Sequence, residues 1–181
     1  MQKPLLIVVA GRPASGKTSL AHLLAKEIKC PLLSRDEFKE GYLNTARLND
    51  QQLDEDVNRD IYEAFFETID LLISKNISII AEAAFQHKLW EPKLTKLLNK
   101  SEIRIIVCKV SVELAKERFY KRILDQPERK KFHGEGTNKN LSLLSEDHDT
   151  IHLPVPTLEV DTTNNYNPDI EKIIDFIGFK N

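Results

Sequence analysis

The stretch Leu5-Leu-Ile-Val-Val-Ala-Gly11-Arg-Pro-Ala-Ser-Gly16-Lys17-Thr18 decides the fold of this chain of 181 residues. Its first six residues are apolar, which predicts a parallel strand that is covered on both faces. The next eight match the spacing G-x-x-x-x-G-K-[ST], and a helical pattern follows over residues 19–29. A strand, a glycine-containing turn and a helix in this order predict a loop whose backbone amides bind phosphate oxygens.

The residue types of this loop fit a nucleoside triphosphate. Gly11 and Gly16 allow the backbone to curl around phosphate without a clash of Cβ atoms. We expect Lys17 to contact the β- and γ-phosphates and the Thr18 hydroxyl to ligate Mg²⁺. The pattern predicts ATP and Mg²⁺ as cofactors but does not by itself separate kinases from GTPases, motors or transport ATPases. The residues expected to bind the nucleotide here are Gly11, Ala14, Ser15, Gly16, Lys17, Thr18 and Ser19.

Composition narrows the class of protein. Apolar residues make up 41% of the chain and charged residues 30%, and the net charge is −2. These values exclude a generally basic nucleic-acid coat protein and argue against disorder. Two cysteines, Cys30 and Cys108, do not form a disulfide framework and suit a reducing compartment. Because no apolar run is long enough to span a membrane and no signal-peptide pattern precedes the first strand, we expect a cytoplasmic protein without membrane contact.

Short apolar runs alternate with helical periods along the chain, which predicts an α/β fold with a parallel sheet and helices on both faces. We predict one domain over residues 1–181, with a lid and loop over residues 112–156, where periodicity is weak after residue 125. Asn167 is the expected N-cap of the last helix. The predicted strands cover residues 5–10, 31–34, 77–83, 103–110 and 158–161, and the predicted helices cover residues 19–29, 51–75, 89–99, 112–124 and 168–179.

Polar residues at the ends of the second and third strands are candidates for the acceptor side. After Ser34 and Arg35, Asp36 could take the proton of an attacking hydroxyl, and Arg35 could hold an acceptor phosphate or carboxylate. The alternative is that Ser34 or Asp36 merely caps the next helix. Glu82 ends an apolar strand and needs a partner, either Mg²⁺ or the acceptor, unless it is a surface carboxylate. Gln86 could line the same acceptor pocket.

Arg118 and Arg122 lie four residues apart, on one face of a predicted helix. They begin a basic stretch, since residues 116–131 contain seven Lys or Arg and three Asp or Glu. We expect both arginines to close over the phosphates during transfer, because phosphoryl transfer needs positive charge there. One of them could instead stack on the adenine. A solvated basic helix face is the plainer alternative.

The order of these features resembles P-loop kinases of the adenylate-kinase-like branch. Within that branch the pattern is similar to polynucleotide 5′-hydroxyl kinases, chloramphenicol phosphotransferases and zeta toxin kinases. The resemblance implies a five-stranded parallel sheet in the order 2-3-1-4-5, with the lid after strand 4. It also implies Asp36 as general base, Arg35 beside the acceptor and Arg122 on the transferring phosphate. The loop of residues 162–166, which includes Thr162, would lie near the adenine.

The acceptor is less defined than the nucleotide. Residues 36–70 contain eleven acidic and three basic side chains, which argues against a long polynucleotide because nucleic-acid binding depends on neutralising phosphates. In place of the polar residues of polynucleotide kinases, Ala83-Ala84-Phe85 follows the third strand. We therefore expect a kinase that transfers the γ-phosphate to a hydroxyl of a small or nucleoside-like acceptor. A polynucleotide 5′-hydroxyl kinase, a nucleotide-dependent switch ATPase and a toxin acting on an amino-sugar nucleotide stay open as alternatives.

Overall fold

A computed structural model describes residues 3–48, 54–127, 132 and 149–179 of the chain. One parallel sheet in the order β2-β3-β1-β4-β5 confirms the predicted fold and strand order. Its strands are β1 (Leu5–Ala10), β2 (Leu32–Ser34), β3 (Ile79–Glu82), β4 (Glu102–Lys109) and β5 (Thr157–Asp161). The helices are α1 (Lys17–Ile28), α2 (Arg35–Ala46), α3 (Glu55–Ser74), α4 (His87–Leu97), α5 (Val112–Asp125) and α6 (Ile170–Ile177).

The central strand β1 is buried along its whole length and separates two apolar clusters. Alternate residues of the strand point to opposite faces of the sheet. One cluster joins Leu6 and Val8 to α3 and α4, and the other joins Ile7 and Val9 to α1 and α6. The sheet register places Glu82 beside Val9 on one side and beside Ser34 on the other. The carboxyl ends of β1, β2 and β3 therefore meet at one edge, where open α/β sheets bind ligands.

A cluster of aromatic rings fixes α3 and α4 against the sheet. The Phe65 ring meets Trp90 edge to face at 5.6 Å between centroids and meets Phe38 of α2 at 5.9 Å. Trp90 also contacts Phe85, at 4.4 Å, in the turn that follows β3. Such edge-to-face pairs add to the stabilisation that comes from buried area. This cluster therefore connects the helices to the turn at the carboxyl end of β3.

Several element ends differ from the sequence-based prediction. The sequence predicts the long helix α3 over residues 51–75, of which residues 51–53 lie outside the described ranges. In the structure Asp54 is the N-cap of this helix, and its carboxylate accepts a 2.8 Å hydrogen bond from the Val57 amide. The predicted start of the last helix was wrong. Asn167 is paired through both backbone groups with Asp161, at 2.8 and 2.9 Å, so it belongs to a loop. Asp169 is the actual N-cap.

The region predicted as a lid begins with α5 and is described only in part. Residues 128–131 and 133–148 lie outside the described ranges, so the lid stays a prediction. Beyond them, the Ile151 amide donates to the Phe85 carbonyl at 2.7 Å, and Thr150 pairs with Gln86. This later part of the segment thus lies against the turn that follows β3. In the part of the chain that the structure describes, no helix is long and apolar enough to cross a membrane.

Replacing Phe65 by Ala tests the aromatic cluster. Because the Phe65 side chain is fully buried, we expect the free energy of unfolding to fall by about 3 to 5 kcal/mol. Urea denaturation followed by circular dichroism measures this loss. Leu71→Ala on the same helix is the control, since 57% of Leu71 is exposed and its loss should cost under about 0.5 kcal/mol. Equal losses in the two variants would contradict the assigned role of the cluster.

Candidate active site

The loop between β1 and α1 contains three residues with positive φ. Gly11 has a φ of 146°, and a Cβ atom built there would lie 2.6 Å from the Ser15 hydroxyl and 2.7 Å from the Cys108 carbonyl oxygen. Ala14 and Gly16 also have positive φ, at 60° and 81°. Because a side chain at Gly11 would clash with backbone on β4, glycine is required at this position.

Helix α1 starts at Lys17, so the amides of Lys17, Thr18 and Ser19 lie in its first turn. The first amides of a helix have no carbonyl partner within the helix, and the helix dipole adds partial positive charge there. The first turn of α1 contains no acidic residue. This end of the helix is therefore suited to bind an anion such as a phosphate group.

One buried carboxylate connects the loop to the neighbouring strand. Glu82, at the end of β3, is 2% exposed, and its Oε1 lies 3.7 Å from the Lys17 ammonium. The Thr18 hydroxyl donates to the same oxygen at 3.3 Å, and the Ser34 hydroxyl donates to Oε2 at 2.7 Å. The cation and the two hydroxyls compensate the cost of burying the charge. The structure thus brings Lys17, Thr18, Ser34 and Glu82 together, whereas the sequence analysis expected Mg²⁺ or the acceptor as the partner of Glu82.

The Thr18 and Glu82 oxygens fit a magnesium ion that arrives with a nucleotide. Mg²⁺ is usually bound by one or two protein oxygens, with phosphate oxygens and water completing its coordination. A hydroxyl and a carboxylate 3.3 Å apart at the start of α1 provide such a pair. Elsewhere in residues 3–48, 54–127, 132 and 149–179, no group of three or more His, Cys, Asp or Glu could hold a metal ion.

Cys108 lies beneath the loop, next to the same charges. Burial raises the pKa of the Cys108 thiol to about 12, and the nearby Lys17 only partly opposes this effect. The thiol is therefore neutral and weakly nucleophilic at physiological pH. We read Cys108 as a packing residue that supports the turn at Gly11.

Three of the residues predicted for the acceptor side lie at the start of α2. Ser34 is the N-cap residue of this helix, but its hydroxyl donates to Glu82 and accepts no hydrogen bond from the helix amides, so its side chain does not cap the helix. Arg35 and Asp36 form the first turn. Burial lowers the pKa of the Arg35 guanidinium, and the Asp36 charge opposes that shift. Asp36 itself is exposed in this first turn.

Gln86 lies apart from this helix, as the N-cap residue of α4. It is half-buried, and it pairs with Thr150 in an isolated antiparallel bridge. Its neighbour His87 stacks on His152 with ring centroids 3.7 Å apart, a contact that the sequence did not indicate. Gln86 therefore belongs to the surface where residues 149–152 meet the turn that follows β3.

The two arginines of α5 have different surroundings. Nη2 of Arg118 donates to the carbonyls of Thr162 and Thr163, both at 2.8 Å. The Thr162 hydroxyl in turn donates to the Ser15 carbonyl at 2.7 Å, which connects the end of β5 to the loop before α1. The Arg122 guanidinium carbon lies 5.5 Å from the centre of the Phe119 ring.

A cavity of about 480 Å³ brings together most of the residues predicted to bind the nucleotide. Its volume is within the usual range for small-molecule and cofactor sites. The residues that line it are Ala14, Gly16, Lys17, Thr18, Ser19, Arg118, Arg122, Thr162, Thr163, Asn164, Asn165 and Tyr166. Gly11 and Ser15 belong to the loop but are not among these residues, because both are buried. The Ser15 hydroxyl has no hydrogen-bond partner in the described part of the chain.

Motif reasoning from the residues did not single out Thr163, Asn164, Asn165 or Tyr166. The resemblance to kinases indicated their loop but no side chain within it. A run of small polar residues directly after a strand, Thr162-Thr-Asn-Asn, was the available signal. It is weak, because such runs are common in ordinary turns.

Solved structures share the fold of this chain. A candidate kinase from Chloroflexus aurantiacus J-10-fl has a TM-score of 0.83 and 28% identity, with 98% of each chain covered. An adenosine 5′-phosphosulfate (APS) kinase from Mycobacterium tuberculosis has a TM-score of 0.66 and 14% identity, covering 98% of this chain and 99% of that one. A chain of the Pnkp1/Rnl/Hen1 RNA repair complex has a TM-score of 0.60 and 19% identity, covering 69% of this chain and 39% of that one. The chain thus has the nucleotide-binding fold of P-loop kinases.

The sequence comparisons define the family more closely than the fold does. None of the curated proteins compared with the sequence matches it. The family model described as "Zeta toxin" matches residues 1–161, which include the loop before α1, the acceptor-side residues and both arginines of α5. The chain belongs to the zeta toxin family.

Proposed function

We propose that this protein is an ATP- and Mg²⁺-dependent kinase that transfers the γ-phosphate to a hydroxyl group of a small or nucleoside-like acceptor. The observation that supports this most strongly is the position of the Glu82 carboxylate. It contacts Lys17 and Thr18 of the phosphate-binding loop and, through Ser34, the strand that leads to Asp36. A nucleotide site and a candidate acceptor side thus share one buried group.

In this proposal the chain's own residues hold the triphosphate and the acceptor. Lys17 and the first amides of α1 bind the β- and γ-phosphates, while Thr18 and Glu82 would hold Mg²⁺. The ion, when bound, would neutralise charge on the phosphates. Arg122, which lines the same cavity, would add positive charge near the transferred group.

Asp36 is the proposed general base. It would accept the proton of the acceptor hydroxyl while the hydroxyl oxygen forms a bond to the γ-phosphorus and the bond to the β–γ bridging oxygen breaks. ADP leaves, and the proton passes from Asp36 to solvent. Arg35 beside it would orient an anionic group of the acceptor.

Charge supports a small acceptor over a long polynucleotide. Asp36 and Glu37 are adjacent exposed carboxylates in the first turn of α2, where the acceptor is proposed to bind. A polyanion would be repelled by this concentration of carboxylates unless they were neutralised. A small acceptor with one anionic group, which Arg35 would hold, would be repelled far less than a polyanion.

Transfer of label from [γ-³²P]ATP with Mg²⁺ tests the proposed function. The acceptors are a pool of nucleosides, sugars, amino-sugar nucleotides and alcohols, with a 5′-hydroxyl oligonucleotide in parallel. We expect label on a small molecule. Label on the oligonucleotide would replace the proposal with a nucleic-acid end kinase, and release of free phosphate alone would indicate a switch ATPase.

Asp36→Asn tests the base. We expect phosphate transfer to fall by about 10²- to 10⁴-fold, because the amide cannot accept the proton, while ATP affinity stays nearly unchanged. Transfer kinetics and calorimetric ATP titration measure the two quantities. Glu37→Gln is the matched control, since Glu37 is the next exposed carboxylate and pairs with His22 at 2.7 Å. Full activity of Asp36→Asn would remove the assignment.

Glu82→Gln tests the buried carboxylate. We expect the Mg²⁺ concentration for half-maximal transfer to rise by about 10- to 100-fold, because a neutral amide attracts the ion less. A magnesium titration at saturating ATP measures it, with urea unfolding to confirm that the variant folds. Glu102→Gln, at the other end of the sheet, should leave the titration unchanged. An unaltered magnesium requirement in Glu82→Gln would contradict the metal role.

A further inference from the structure

The geometry points to Arg118 as a positioning residue for the loop of residues 162–166, and not as a ligand of the transferred phosphate. We call this segment the β5–α6 loop. The inference rests on the nucleotide binding proposed above, and it assigns different roles to the two arginines of α5. Arg118 would fix the wall that receives the nucleotide base, whereas Arg122 would meet the phosphates.

The hydrogen bonds of Arg118 carry the argument. A guanidinium Nη2 has two hydrogens, and the two 2.8 Å bonds to the Thr162 and Thr163 carbonyls use both of them. That nitrogen therefore has no hydrogen left for a phosphate oxygen, and the three hydrogens on Nη1 and Nε belong to a planar group whose direction these two bonds already fix toward the loop. Two charge-assisted bonds to consecutive carbonyls also fix the direction of the backbone between them.

The β5–α6 loop is closed at both ends by contacts of its own. Asp161 and Asn167 pair through both backbone groups, and the Asp161 carboxylate accepts a 2.7 Å hydrogen bond from the Thr163 amide. The Thr162 hydroxyl is bonded to the Ser15 carbonyl, inside the phosphate-binding loop. Arg118 adds the connection to α5. These hydrogen bonds thereby connect the β5–α6 loop to both the phosphate-binding loop and α5.

The side chains that the β5–α6 loop presents suit a heteroaromatic base. Asn164 and Asn165 are exposed and line the cavity, and each amide can both donate and accept hydrogen bonds. Tyr166 is half-buried in the same wall, where its ring can contact a planar ligand. None of these three carries a positive charge, unlike Lys17 and Arg122 elsewhere in the cavity wall. Without the hydrogen bonds from Arg118, the β5–α6 loop would have to become ordered when the base binds, and this ordering would lower the affinity for the nucleotide.

Calorimetric titration with two probes distinguishes positioning of the β5–α6 loop by Arg118 from contact with the phosphates by Arg122. A non-hydrolysable ATP analogue has both base and phosphates, whereas inorganic tripolyphosphate has phosphates alone. For Arg118→Gln we expect affinity for the ATP analogue to fall about tenfold, the effect of losing one or two charge-assisted bonds. Affinity for tripolyphosphate should stay within about twofold of the original protein. Arg122→Gln is the matched variant, one turn later, and should weaken both probes. Arg118→Lys should recover part of the loss.

The outcomes distinguish this inference from the proposed function. Equal weakening of both probes by Arg118→Gln, or weakening of neither, would overturn the positioning role. Neither result requires an acceptor, so absence of phosphate transfer would overturn only the proposed kinase activity. If the original protein bound neither probe, hydrogen exchange of the β5–α6 loop amides would still decide the role of Arg118. Faster exchange at Thr163 in Arg118→Gln supports it, and unchanged exchange overturns it.

Discussion

The buried contact between Glu82, Lys17 and the hydroxyls of Thr18 and Ser34 is the constraint on which the rest of the site depends. A carboxylate that is only 2% exposed is costly to bury unless cations and donors surround it. Its partners come from two other elements, α1 and β2, so β2, β3 and the start of α1 must be aligned with one another. The parallel pairing of Ser34 and Val9 with Glu82 meets that requirement. The parallel alignment of β1, β2 and β3 therefore both packs the sheet and places the side chains that surround Glu82.

The site has two sides with different physical character. On the side of α5 and the β5–α6 loop, the cavity contains the anion-binding start of α1, two arginines and uncharged polar side chains. On the side of α2, exposed carboxylates predominate. A triphosphate fits the first environment and not the second. The asymmetry gives a physical reason for assigning nucleotide and acceptor to opposite sides of Glu82 in the proposed reaction.

Patterns of neighbouring residues predicted strands, helices and the loop after β1, but they could not predict contacts between residues far apart in the sequence. The strand, loop and helix around Gly11 follow from adjacent residues, so the sequence predicts them correctly. The strand order came from a resemblance and is confirmed. By contrast, the wrong N-cap at Asn167 arose because its backbone pairs with Asp161, a contact that helix signals do not encode. The bonds of Arg118 to Thr162 and Thr163 connect residues more than forty positions apart, and they depend on a loop conformation that no motif specifies.

The aromatic cluster has a practical consequence for observing the protein. The chain contains one tryptophan, Trp90, and it is 6% exposed. Its ring meets Phe85 in the turn that follows β3, while the nucleotide cavity lies along α5 and the β5–α6 loop. Intrinsic emission from this single indole therefore reports on the aromatic cluster beside that turn. The packing of α3 and α4 against the sheet can thus be followed optically in the unlabelled protein while a nucleotide is present.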